Sequence, residues 1–239
     1  MKFCKMFTTN VTQFCKRHFI KSLIIITGLL ISSWPSILAQ TKPRKWERSI
    51  KAYENEDKQK MPELGGVLFI GSSSIRGWKT MKQDFPSHNI INRGFGGSEI
   101  TDSIHFADRI IYPYKPKQIL LYAGDNDMAR GKSAQTVFSD FKKFVSIVHK
   151  KLPKTRISFI AIKPSLRRWK LSEKMSKAND TIESYCGTDD RLEFINIWKP
   201  MLGRDGKPKA ELFVKDGLHL NSKGYALWKK TVIPYLTEE

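Results

Sequence analysis

The stretch Gly65-Gly66-Val67-Leu68-Phe69-Ile70-Gly71-Ser72-Ser73-Ser74-Ile75 decides how the chain is read. Its apolar run, bounded by glycines, has the pattern of a strand buried on both faces of a parallel sheet. The serines fall in the turn that leaves this strand, and open α/β sheets bind ligands outside the carboxyl ends of their strands. The same signature recurs outward. A short strand within His88–Asn92 runs into Asn92-Arg93-Gly94-Phe95-Gly96-Gly97, and Gln118–Tyr122 runs into Ala123-Gly124-Asp125-Asn126-Asp127. Ile157–Ile162 precedes Lys163-Pro164-Ser165, and Leu192–Ile197 supplies a fifth strand. Between them lie helical patterns. Trp46, Ile50 and Tyr53 mark one over about 46–58, and Ile100–Ile111 forms another. A Val137, Phe141, Phe144, Val145, Val148 stripe is stopped by Pro153, and two more helices cover about 170–186 and Tyr225–Leu236. Strands alternating with helices predict a five-stranded parallel sheet covered on both faces, with right-handed crossovers. One α/β domain accounts for residues 45–239.

The bulk properties narrow the function. The 239 residues suffice for one full core, and neither a repeat nor a low-complexity tract interrupts them. A formal charge of +19 suggests nucleic acid, but the basic residues are dispersed and no nucleic-acid-binding motif accompanies them, so no nucleic-acid partner is expected. Of three cysteines, Cys4 and Cys15 lie near the N-terminus. If the N-terminal segment that carries them is removed, Cys186 is left alone, which predicts a buried thiol rather than a disulfide or metal ligand.

Residues 1–39 read as an export signal. Lys2, Lys5, Lys16, Arg17 and Lys21 precede the apolar core Leu23–Ile31, Pro35 and Ser36 break it, and Ala39 offers a small residue before Gln40. The run is short for a membrane span, which needs about 20 apolar residues. Ile37 is bulky for a cleavage site. Two outcomes therefore stay open: a cleaved signal giving a periplasmic or secreted protein, or an uncleaved anchor holding it to the membrane.

Taken singly, each candidate site residue has a plain structural reading. Ser73 suits a turn or helix cap, Gly94, Gly96 and Gly97 a tight turn, Asn126 a turn, and Asp216 with His219 a helix-entry turn. Together they follow the first three strands and the loop before the last helix, so the topology brings them to one edge. A serine hydroxyl is a weak nucleophile until an imidazole takes its proton, the imidazole needs a carboxylate to orient it, and an oxyanion needs donors aimed at it. The chain supplies each part.

This order of motifs resembles the SGNH/GDSL hydrolase family over nearly the whole of residues 45–239. Gly71-Ser72-Ser73-Ser74 looks like the first block, normally Gly-Asp-Ser, with Ser73 matching the nucleophile and Ser72 replacing the usual aspartate. Gly97 matches the oxyanion glycine of the second block, and Gly124-Asp125-Asn126-Asp127 is similar to the third, with Asn126 the oxyanion amide. Asp216-Gly217-Leu218-His219 resembles the fifth block, bringing acid and base. The resemblance implies a flavodoxin-like three-layer α/β/α sandwich with sheet order 2-1-3-4-5. It also implies an esterase with neither cofactor nor metal, its triad being Ser73, His219 and Asp216. The oxyanion hole it implies comprises Ser73, Gly97 and Asn126. Ser72 is then expected within the turn's own hydrogen bonds and Ser74 as a helix cap. Asn92-Arg93-Gly94-Phe95-Gly96-Gly97, together with Trp78 shortly after the serines, resembles the platelet-activating-factor acetylhydrolase-like and sugar-acetylesterase branches. These favour short acyl groups on a small molecule, a polysaccharide or a lipid. The competing class is a non-catalytic carbohydrate- or lipid-binding module on the same fold, which has no need of Ser73, His219 and Asn126 together.

Export has a direct check. In a secreting host the protein should be recovered outside the inner membrane with Gln40 or a neighbour as its first residue. Soluble cytoplasmic protein that keeps Met1 would overturn the export reading.

Overall fold

A computed structural model of the chain describes residues 41–237. The export segment expected at 1–39 lies outside them. The first described element is helix α1 (Thr41–Gln59), followed by strand β1 (Val67–Gly71) and the short helices α2 (Ser73–Gly77) and α3 (Met81–Asp84). Strand β2 (Ile90–Gly94), helices α4 (Ile100–His105) and α5 (Ala107–Ile110), and strand β3 (Gln118–Tyr122) come next. Helices α6 (Asp125–Ala129) and α7 (Ala134–Lys151), strand β4 (Arg156–Ile160) and helix α8 (Ser172–Cys186) follow. Strand β5 (Leu192–Ile195) and helices α9 (Trp198–Met201) and α10 (Ser222–Val232) complete the order.

All five strands are parallel, in the order β2-β1-β3-β4-β5. β1 and β3 are buried at every position because helices cover both sheet faces. Strand side chains alternate between the faces. Leu68, Ile70, Ile119 and Leu121 pack with α1, α4, α5, α7 and α8, whereas Val67, Phe69, Leu120 and Tyr122 pack with α2, α3, α9 and α10. The three-layer sandwich and the sheet order agree with what the family resemblance implies.

Several boundaries differ for local reasons. The helix expected over Ile100–Ile111 is two, because Phe106 leaves helical geometry to bury its ring edge-on against Phe95. β5 stops at Ile195, where Asn196 Oδ1 accepts the Trp198 N–H and turns the chain. The last helix begins at Ser222 because Asn221 caps it, its Oδ1 accepting from the Lys223 and Gly224 N–H groups. Cys186 is free and buried, and burial pushes its thiol up to about 12, as expected of a structural cysteine. Among the described residues no helix is long and apolar enough to cross a membrane.

Trp78 turns out to be structural. Its ring meets Phe69, Phe85, Tyr225 and Trp228, and its indole N–H donates to Asp84 Oδ2 at 2.7 Å. It anchors the C-terminal end of α2 and so fixes the serine turn from below. Trp78→Ala should lower stability by about 3–5 kcal/mol, the usual cost of emptying such a site. A urea melt that stays within about 1 kcal/mol of wild type would remove this anchor role.

Candidate active site

The site sits where the strand order reverses. β1 lies between β2 and β3, with Gly71 in register with Gly94 on one side and Tyr122 on the other. The three following loops therefore leave the sheet level with one another, which is the crevice geometry of a topological switch point.

Gly71 makes the first turn possible. Its φ of +125° belongs to glycine, and a Cβ would stand 1.9 Å from the Tyr122 carbonyl oxygen. The chain can then turn at once into α2. Ser72 holds the N-cap position, its N–H donating to the Tyr122 carbonyl and its carbonyl accepting from the Ile75 and Arg76 N–H groups. Its hydroxyl caps nothing and is buried without a partner. Ser73 is the first helical residue, so its N–H has no intrahelical acceptor and its side chain stands at the opening. Ser74 does not cap the helix, contrary to expectation. It lies within the first turn, buried, with its hydroxyl bonded to Tyr122 and its carbonyl accepting from Tyr225 Oη at 3.0 Å.

Asp216 and His219 come from the turn before α10. Asp216 Oδ1 accepts the Leu218 and His219 N–H groups at 2.8 and 2.9 Å, closing an Asx-type turn. Its Oδ2 meets His219 Nδ1 at 2.5 Å, and His219 Nε2 lies 3.0 Å from Ser73 Oγ. A carboxylate only accepts, so Nδ1 carries the hydrogen and Nε2 is left to accept from the hydroxyl. Burial pushes the Asp216 carboxyl up, but the bonds from the His219 ring and from the two N–H groups outweigh it and hold it at about 2. The pair faces solvent, with the His219 and Asp216 side chains 44% and 32% exposed.

Gly97 and Asn126 occupy the neighbouring loops. Gly97 has φ +78°, a second position that needs glycine, and its carbonyl accepts from Arg130 Nη2 at 2.8 Å. The turn is braced from α1, where Trp46 Nε1 donates to the Gly96 carbonyl at 2.9 Å and the Tyr53 hydroxyl to the Gly94 carbonyl. Asn126 is buried at the start of α6, and its Nδ2 donates to the Ser98 carbonyl at 3.0 Å, which ties it to the Gly97 loop. All five residues expected at the site are therefore brought to one edge.

Sequence reasoning missed the charges that bind these loops together. Buried Glu99 and Asp127 share Lys132 at 2.9 and 2.8 Å, and Arg130 reaches Glu99 at 2.9 Å. Asp127 also accepts the Gly124 and Ile100 N–H groups, joining the loops after β2 and β3. Lys163, Asp125 and Arg168 form a second buried cluster beside Asn126. Asp125 and Asp127 stand in the block around Asn126, but their pairing is not legible there, because Lys163 and Arg168 reach Asp125, and Lys132 and Arg130 reach Glu99, only once the sheet order brings distant loops together. Among the described residues no group of three or more His, Cys, Asp or Glu side chains is placed to hold a metal ion.

With this geometry in place, the comparisons assign a class. The chain belongs to the GDSL-like Lipase/Acylhydrolase family, whose profile matches residues 69–227, and so to a family of acylhydrolases and esterases. Platelet-activating factor acetylhydrolase IB subunit alpha1 of Pongo abelii is 23% identical over 187 residues, 76% of this chain and 78% of that protein. A solved structure from Streptococcus pneumonia, described as a platelet activating factor, aligns with a TM-score of 0.72 at 22% identity. That alignment covers 84% of this chain and 97% of that one. A catalytic mutant of an acetylxylan esterase from Geobacillus stearothermophilus aligns at 0.58 and 12% identity, over 74% of this chain and 96% of that one. These structural likenesses are ones of fold.

The Lys132 cluster yields a pH-dependent expectation. Burial raises Asp127 even with Lys132 beside it. Lys132→Met leaves two buried carboxylates without their shared cation, which should cost about 3–5 kcal/mol near neutral pH. The deficit should shrink as pH falls, because the folded state then takes up a proton on Asp127 more readily than the unfolded chain. Urea melts at neutral and acid pH that show an equal deficit would contradict this account.

Proposed function

We propose that this protein is a serine esterase that removes short acyl groups, acetyl above all, from carbohydrate or lipid esters. The observation that carries this reading is the unbroken line Asp216–His219–Ser73, with contacts of 2.5 and 3.0 Å. His219 Nε2 takes the Ser73 proton as Oγ bonds to the ester carbonyl carbon, and the carbonyl electron pair moves onto oxygen. Asp216 keeps the imidazole in the right tautomer and stabilises the imidazolium. The N–H groups of Ser73 and Gly97 and the Asn126 amide hold the oxyanion. Collapse expels the alcohol, which leaves with the proton from His219. Water then attacks the acyl-enzyme, again losing its proton to His219, and Ser73 regains its own as the acid departs. No cofactor or metal enters any step.

The exposure of the triad supports a short acyl group. A long chain bound at so open a site would leave much of its length in water, forgoing about 0.8 kcal/mol per CH2 that an enclosed tunnel would supply. An acetyl group forgoes little, and a bulky sugar or headgroup fits outside. Export by residues 1–39, to the periplasm or beyond, would bring such esters within reach.

A fluorophosphonate probe should label the wild type on the peptide carrying Ser73. Ser73→Ala should lose labelling and p-nitrophenyl acetate turnover while melting as wild type does. Asp216→Asn should keep the fold and lower kcat by about three to four orders of magnitude. General-base catalysis needs an unprotonated base, so the wild-type rate should rise with pH and then level off. Asp216, at about 2, adds no second step in the neutral range. Acetyl esters should outrun long-chain esters. Labelling of Ser73→Ala, or wild-type turnover in Asp216→Asn, would sink this mechanism.

A further inference from the structure

Asn126 can act as an oxyanion donor only in one of its two amide orientations. Turned by 180° about its last bond, the same side chain would aim an oxygen at the developing negative charge. Two contacts bear on the choice. Nδ2 donates to the Ser98 carbonyl, and Oδ1 accepts from Arg168 Nη2, both at 3.0 Å. A carbonyl only accepts and a guanidinium only donates, so each contact rejects the flipped amide. One Nδ2 hydrogen is thereby committed to Ser98, and the other is left over.

Arg168 is itself held. Its Nη1 lies 3.0 Å from Asp125 Oδ2, in ion-pair contact though not aligned as a hydrogen bond. Lys163, with 1% of its side chain exposed, donates to the same Asp125 oxygen at 3.1 Å and to the Tyr122 hydroxyl at 3.0 Å. Burial pushes the Asp125 carboxyl up, but Lys163 and Arg168 outweigh it and hold the group below its ordinary value. A buried lysine, a buried aspartate and a largely buried arginine are costly to assemble, and the proposed reaction uses none of them directly. Two cations on one carboxylate leave a net positive charge behind the Asn126 amide.

We propose that Arg168, fixed by Asp125 and Lys163, is a positioning residue that locks the Asn126 amide with its free N–H toward the oxyanion. The inference rests on the esterase reading above. The guanidinium also polarises the amide through its oxygen, strengthening the N–H as a donor. Because this donor matters when charge develops, the loss should fall on kcat rather than on KM.

The test is a double-mutant cycle on p-nitrophenyl acetate. Asn126→Ala should lower kcat about 100- to 1,000-fold. Arg168→Met should lower it about 10- to 100-fold, less than outright loss of the donor, with KM within about twofold. The double variant should be no slower than Asn126→Ala alone, because Arg168 then has nothing to orient. Arg168→Lys, which keeps a donor, should recover part of the loss. Multiplying losses in the double variant, or an unchanged kcat in Arg168→Met, would overturn the proposal. If Arg168→Met does not fold, the same cycle is read with Arg168→Lys, and multiplying losses there overturn it equally. A wild type that is inert and unlabelled by fluorophosphonate would bring down the esterase reading and this inference together. A wild type that is active and labelled, with an additive cycle, would bring down this inference alone.

Discussion

The structure depends on how closely three parallel strand ends can approach. Gly71 stands in register with Gly94 and with Tyr122, and no side chain fits between it and the Tyr122 carbonyl. This constraint places the serine turn, the glycine loop and the start of α6 within reach of one another. The strands supply position, since each is pinned by ladder bonds on both sides except at the sheet edges. The loops supply chemistry, and they can be short because the sheet has already done the placing. Only Asp216 and His219 come from elsewhere, on a turn closed by the carboxylate's own bonds to two backbone N–H groups.

Loops that leave a sheet level with one another still have to be kept apart and at the right height. Here that is done with ions more than with apolar packing. Glu99, Asp127 and Lys132 join the loops after β2 and β3, and Lys163, Asp125 and Arg168 brace the loop after β4 against α6. Buried ion pairs gain little stability over well-packed apolar side chains, because desolvation takes back most of the Coulombic energy. What they add is discrimination among geometries, since each charge removed from its partner is strongly penalised. From the other side, α1 contributes neutral donors, the Trp46 indole and the Tyr53 hydroxyl, to the glycine loop. The helix that the sequence marks only by an apolar spacing thus supports the site.

What the sequence revealed follows from the range of the forces involved. Strand runs such as Gln118–Tyr122 are legible because burial on both faces leaves no room for polar residues. The Asp216–His219 turn is legible because its hydrogen bonds span three residues. Phe106 is a different case. It interrupts a helix to meet Phe95, an aromatic contact between loops that no local propensity announces. The general habit of serine at helix starts points to Ser74 as a cap, but the tight turn at Gly71 starts the helix two residues earlier, with Ser72 at the cap position. Trp78 was legible as a residue worth noting and illegible in role, because spacing does not distinguish a ring facing the cleft from one facing the core. Arg168 was invisible, since its significance lies in an amide oxygen 42 positions away in the sequence.

The start of α2 carries the clearest conflict between stability and the proposed reaction. A helix normally satisfies its first N–H groups with a capping side chain, worth about 1 kcal/mol. Ser72 stands at the cap with a suitable hydroxyl, yet makes no capping bond, and its buried oxygen has no partner. Leaving a buried hydroxyl unpaired costs about 1–3 kcal/mol. The turn survives because α2 is fixed at its other end. The rings around Trp78 bury large apolar area, and the Tyr225 hydroxyl holds the Ser74 carbonyl. An aspartate at position 72, usual in the family, would put a charge beside the amides that, on the proposed mechanism, must receive a negative oxygen. Serine at that position leaves the field around the Ser73 amide less negative. The local cost at Ser72 and the packing under Trp78 are thus two sides of one arrangement: an anchored short helix can present unsatisfied donors at its open end, where an unanchored one would fray.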